Sequence, residues 1–243
     1  MKQLARSLVP MVVLVSAAVL AGCARAPDPG PDIPPGITAP PPTPVASPVP
    51  APEPSVESAL PAEIAGVDTS GWQQIPVPSG TATFRIPADW SVAETAGGLD
   101  VLRADGERQL GYAEGVSAGD GRCVDASGTA VAWRTVALDR QDVSIAGATG
   151  VAFGAAALQL GDQWVMSLGL RPAEAAQRPQ CPIVNAVETA SGLVSFGSEV
   201  DVTGSGPGAP WQVASAAAAE AYLATEEYAT LRAVLMSLEL LQP

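Results

Sequence analysis

Fourteen of the chain's 24 prolines fall between residues 24 and 62. They come in runs such as Pro40-Pro41-Pro42-Thr43-Pro44 and Pro48-Val49-Pro50-Ala51-Pro52. Proline has no amide hydrogen to donate and holds the residue before it out of the helical region, so neither a helix nor a central strand can be built here. The stretch also lacks aromatic residues and has few side chains able to enter a core. Such a segment prefers extended polyproline II conformers rising ~3.1 Å per residue, so its 39 residues reach at most ~120 Å. It reads as a semi-rigid spacer; the alternative use of this composition is a docking ligand for a proline-recognising partner. Folding is thereby left to a single domain at 63–243, which holds all five Trp, three Phe and three Tyr of the chain.

Before the spacer, Lys2 and Arg6 form a positive start, and Leu8 to Ala21 is apolar apart from Pro10 and Ser16. About fourteen apolar residues are too few for a membrane-crossing helix, which needs ~20, and suit the hydrophobic part of a signal peptide. The segment closes on Leu20-Ala21-Gly22-Cys23, which resembles the lipobox of bacterial lipoproteins. The resemblance implies a signal peptide at 1–22, cleavage before Cys23, and acylation of Cys23 with diacylglycerol and an N-linked chain such as palmitate. A second acyl chain makes an otherwise marginal anchor stable. Residues 23–62 are then the lipidated cysteine and its spacer. The expected location is the cell membrane, lipid-anchored on the extracytoplasmic face. Ordinary secretion with an incidental cysteine is the alternative.

Charge and absent residues exclude much chemistry. Without the signal segment, ten arginines stand against 25 acidic residues, so no nucleic-acid partner and no polybasic membrane contact are expected. There is no histidine anywhere, and the one lysine lies in the signal segment. Imidazole triads, histidine metal sites and lysine Schiff bases are therefore out of reach, and no cofactor, metal or catalytic residue is expected. Paired carboxylates remain open to a hydrolase, yet Asp100, Glu114 and Asp139 read as solvated strand or turn residues. Asp120 and Asp125 around Gly119-Asp120-Gly121 lack the ligand spacing of a calcium loop. Gly204-Ser205-Gly206-Pro207-Gly208 reads as a turn rather than a nucleophile elbow.

Strand-like runs dominate the domain: 72–77, 82–86, 99–103, 109–116, 130–138, 151–160, 164–170 and 192–202, the last with a bulge expected near Ser198. Asp105-Gly106 and Gly161-Asp162 mark hairpins. Trp133, Phe153 and Trp164 read as core. Near the end the period becomes helical. A short helix is expected over 215–223, then one capped by Thr225 with Tyr228, Leu231, Val234, Leu235, Leu238 and Leu241 on its apolar stripe. The fold class expected is α+β, an αβα sandwich around a mostly antiparallel sheet with the C-terminal helix packed on it.

The run Phe84-Arg85-Ile86-Pro87-Ala88-Asp89-Trp90-Ser91-Val92 resembles the strand, proline and tryptophan turn of PsbP-like domains. Ala221 to Tyr228 leading to Leu238 is similar to the closing helix of that superfamily and of LpqN-type actinobacterial lipoproteins. These likenesses imply a non-catalytic binding or assembly scaffold at the cell envelope, meeting an envelope protein or a small apolar ligand. A carboxylate-dependent hydrolase and a purely structural wall-associated lipoprotein are the alternatives. Export to an oxidising compartment leaves Cys123 and Cys181 as an even pair, so a disulfide between them is expected.

Overall fold

A computed structural model describes residues 61–117, 122–123, 129–202 and 211–241. The signal segment, Cys23 and the spacer before Pro61 lie outside them, as do Asp120, Asp125 and the Gly204-Ser205-Gly206-Pro207-Gly208 turn. Chain contacts separate Met1–Ser55 from Val56–Pro243, and every described residue belongs to the second unit.

In chain order the elements are β1 (Glu63–Ile64), β2 (Val67–Asp68), β3 (Gln73–Pro76), β4 (Ala82–Ile86), β5 (Ser91–Thr95), β6 (Gly98–Leu102), β7 (Arg108–Glu114), β8 (Trp133–Val143), β9 (Val151–Leu160), β10 (Gln163–Pro172), α1 (Ala173–Gln177), β11 (Ile183–Val184), β12 (Ala186–Thr189), β13 (Gly192–Gly197), β14 (Asp201–Val202), β15 (Gln212–Val213), α2 (Ala216–Tyr222), α3 (Glu226–Met236) and β16 (Glu239–Leu240). The large antiparallel sheet runs β5-β6-β7-β13-β10-β9-β8, with β12 beside β13 and β15 beside β10. A smaller sheet orders β16-β4-β3. The class is α+β, with α3 closed over the sheet.

Alternation along β9 and β10 explains the layers. Phe153, Ala155 and Ala157, with Met166, Leu168 and Leu170, face α3 and the smaller sheet and form the main core. Into it α3 inserts Tyr228, Leu231, Val234 and Leu235, and Phe84 of β4 meets Phe196 with ring centres 4.9 Å apart. Each such large side chain contributes about 1.5–3 kcal/mol by leaving water. The opposite face carries Ala156, Leu158 and Val165, covered by Cys123, Cys181, Ile183 and Val202. Both faces being buried, β9 reads as a nearly unbroken apolar run.

Cys123 and Cys181 form the expected pair, their Cα atoms 5.8 Å apart. Thr225 caps α3 as expected, its Oγ1 accepting from the Tyr228 amide. Three expectations need correction. Trp133 is 42 % exposed, because it opens β8, an edge strand with no neighbour beyond it among the described residues. The helix ends at Met236 rather than running to Leu241: Ser237 Oγ accepts from the Arg85 amide at 2.8 Å, and Glu239–Leu240 pairs with β4 instead. The run at 192–202 is broken, not bulged: the Ser198 amide donates to the Leu168 carbonyl at 2.7 Å, and the chain then leaves the large sheet to pair β14 with β11.

Candidate ligand-binding groove

On the face of the large sheet turned away from α3, glycines stand opposite one another across neighbouring strands. Gly111 of β7 faces Gly197 of β13, Gly197 faces Gly169 of β10, and Gly169 faces Gly154 of β9. Opposed residues in antiparallel strands share a face, so the row is a trough free of side chains. A Cβ at Gly169 would lie 2.5 Å from Asn185 Cγ, and one at Gly111 2.6 Å from Arg108 Nη2. At Gly154 it would lie 3.1 Å from both Arg171 Nε and Ala176 Cβ. The trough is filled by Arg108, Asn185 and Arg171 lying along it.

These side chains form one hydrogen-bonded seam. Arg108 Nε donates to Asp100 Oδ1 at 2.6 Å and its Nη1 to the Ser198 carbonyl at 3.0 Å. Asn185 Nδ2 donates to the Glu199 carbonyl at 2.8 Å and to Ser167 Oγ at 2.9 Å. Arg171 Nη2 donates to Ser167 Oγ at 3.2 Å and to the Gly154 carbonyl at 2.9 Å. Asn185 thus bridges the two arginines through backbone and hydroxyl partners.

Arg171 borders a groove of about 620 Å³. Its other walls include Ala175 of α1, Pro179 and Pro182 of the connection after it, Ile183 of β11, and Leu193 of β13. The disulfide at Cys181 ties that connection to Cys123. A volume of this size lies within the range of small-ligand sites, ~300–1,000 Å³. Among the described walls Glu174 is the one carboxylate, and no serine, threonine or cysteine takes part.

The electrostatics single out Arg171. Its side chain is wholly buried, and its Nε and Nη1 have no acceptor among the described residues. Burial in low-dielectric surroundings disfavours the charged form and pulls its guanidinium down to about 9. The other engaged arginines differ. Arg103 pairs with Asp105, Glu107 and Glu227, Arg108 with Asp100 and Glu199, and Arg232 with Asp139. Arg85, also buried, gives its Nη1 and Nη2 to the carbonyls of Pro61 and Thr69.

The carboxylates considered from sequence are not brought together. Asp100 belongs to Arg108 at one end of the glycine trough. Glu114 accepts from Tyr112 Oη at 2.6 Å, from Ser79 Oγ at 3.0 Å and from Thr81 Oγ1. Asp139 accepts from Tyr228 Oη at 2.6 Å, locking α3 to β8. All three are strand residues, as expected, and are partly exposed, yet each is also engaged in holding elements together. Of the aromatic residues read as core, Phe153 and Trp164 are buried.

Sequence reasoning passed over Arg171, α1 and the glycine trough. The strand expected over 164–170 stops one residue short of Arg171, and five residues of α1 are too few to show a period. A usable signal existed: Gly154, Gly169 and Gly197 interrupt apolar strand runs, and glycine there marks a close approach. The chain matches no protein-family model and no curated protein.

Proposed function

We propose that the protein is a lipid-anchored lipoprotein of the cell envelope whose domain is a non-catalytic binding module, with the groove beside α1 as its ligand site. The lipobox at Leu20-Ala21-Gly22-Cys23 and the proline-rich spacer support the anchor. The groove's composition carries the rest: a largely apolar cleft whose described walls hold one carboxylate and no serine, threonine or cysteine is equipped to hold a small ligand and poorly equipped to cleave one. The likeness of Phe84–Val92 and of the closing helix to PsbP-like and LpqN-type domains supports the same scaffold reading.

Two measurements test it. Changing Cys23 to Ser should stop lipid attachment and cleavage; identical processing and membrane fractionation would remove the anchor. Ala175→Trp should fill the groove. A neutral apolar probe, N-phenyl-1-naphthylamine, should show saturable fluorescence with the parent protein and at least tenfold weaker binding to the variant. Equal binding by both would place the ligand elsewhere.

A further inference from the structure

We infer that the occupant of this groove is an aliphatic monocarboxylate whose head is held by Arg171. This rests on the reading of the groove as a ligand site, and it adds the charge of the ligand and the residue that reads it.

Arg171 is buried, yet two of its three nitrogens have no acceptor among the described residues. Its Nη2 is satisfied by a carbonyl and a hydroxyl, neither of which carries charge. A buried cation without an anion is costly, and proteins ordinarily neutralise it with a carboxylate. In this chain acids outnumber bases by thirteen, and Arg103, Arg108, Arg140 and Arg232 each have an acidic partner. Arg85, also buried, has no acid among the described residues either, but both its Nη nitrogens donate to carbonyls; among the described arginines Arg171 alone leaves two buried nitrogens without an acceptor. A guanidinium is well suited to a carboxylate, whose two oxygens accept charge-assisted hydrogen bonds.

The walls decide the rest of the ligand. Proline, alanine, isoleucine and leucine side chains favour an aliphatic body. One buried cation balances one negative charge. A second, as on a phosphate monoester, would be left in the groove beside Glu174, with Arg178 the other cation among its walls. The guanidinium lies sealed beside Gly154 of β9 and Ala176 of α1, so the head meets it when that helix is displaced. That helix has five residues, Pro172 at its N-cap gives no side-chain hydrogen bond, and Ala176 is its one buried residue. So short an element is drawn from the easily displaced end of the structure.

The test uses the chain from Ala24 to Pro243, which is the expected mature protein without its acylated cysteine. Calorimetric titrations with octanoate, octanol, octylammonium and octyl phosphate compare four heads on one tail. Octanoate should bind at least tenfold tighter than each of the others. Arg171→Met should abolish that preference while leaving octanol within threefold, and Arg178→Gln should keep it. If octanoate, octanol and octylammonium bind alike, Arg171 is no anchor, although the groove still binds apolar ligands. If octyl phosphate binds as tightly as octanoate, the monocarboxylate assignment falls. If none of the four binds, both the inference and the proposed function fall. Should Arg171→Met fail to fold, the four-head comparison on the parent protein still decides, and transfer of the preference to Arg178 would overturn the assignment.

Discussion

Gly169 shows how much a single missing side chain determines. It lies opposite Gly154 on one side and Gly197 on the other, and Asn185 occupies the space its Cβ would need. Asn185 cannot easily step aside, since it bonds to Ser167 and to the Glu199 carbonyl. Gly169→Ala should therefore destabilise the domain by about 1–3 kcal/mol, read from urea unfolding, the range for overpacking a filled site. Glu114 gives a pH-dependent counterpart. Burial pushes its carboxyl up, but hydroxyl donors from Thr81, Tyr112 and Ser79 together hold it below its ordinary value of 4.5. The ionised form is thus favoured by folding. Its stabilisation is complete above about pH 4.5 and is lost as pH falls through the lower folded value. Glu114→Gln should cost about 1 kcal/mol at pH 7, less below pH 4, so the two unfolding curves should converge on acidification. A gap that stays constant with pH would deny the carboxylate that role. Tyr112 sits two residues from Glu114 on β7, but Asn185, Ser79 and Thr81 meet Gly169 and Glu114 only after distant segments pair, so no local signal marks them.

Elements were legible where a period ran long enough to be seen. Ala82–Ile86 and Val151–Leu160 are bounded as their apolar runs suggest, and the Asp105-Gly106 hairpin forms with Gly106 at φ +84°, a conformation glycine adopts without strain. The last helix was legible at its start and not at its end. Thr225 and the acidic pair Glu226 and Glu227 announce the N-terminus, where a cap and negative charge suit the exposed amides and the helix dipole. Its end is set by long-range pairing of Glu239–Leu240 with β4, which local spacing cannot reveal. Leu241 continues the spacing by coincidence and is 47 % exposed. Thr225→Ala should lower stability by about 1 kcal/mol in chemical denaturation, and Thr225→Ser should restore most of it. An unchanged midpoint for the alanine variant would mean that packing of Tyr228 and Leu231 alone fixes where α3 begins.

At the scale of the whole molecule, one buried arginine holds the first described residues to the rest of the domain. Arg85 donates to the carbonyls of Pro61 and Thr69, and Thr69 in turn donates its hydroxyl to Pro61 and its amide to Ala62. Residues 61–69 are thus stitched to β4, next to Ser237 and the end of α3. The prolines before them offer few side chains to a core and no amide donors of their own. Two deletions separate the roles. Removing 26–60 should leave the melting temperature of the domain unchanged within about a degree. Removing 26–69 strips both carbonyls from a buried guanidinium, and an unsatisfied charged donor of that kind costs at least 1–3 kcal/mol. For a domain of this size that is a fall of roughly 2–12 °C, measurable by differential scanning calorimetry. Equal falls in both deletions would mean that the spacer packs on the domain; no fall in either would mean that Arg85 finds water or another acceptor once its carbonyls are gone.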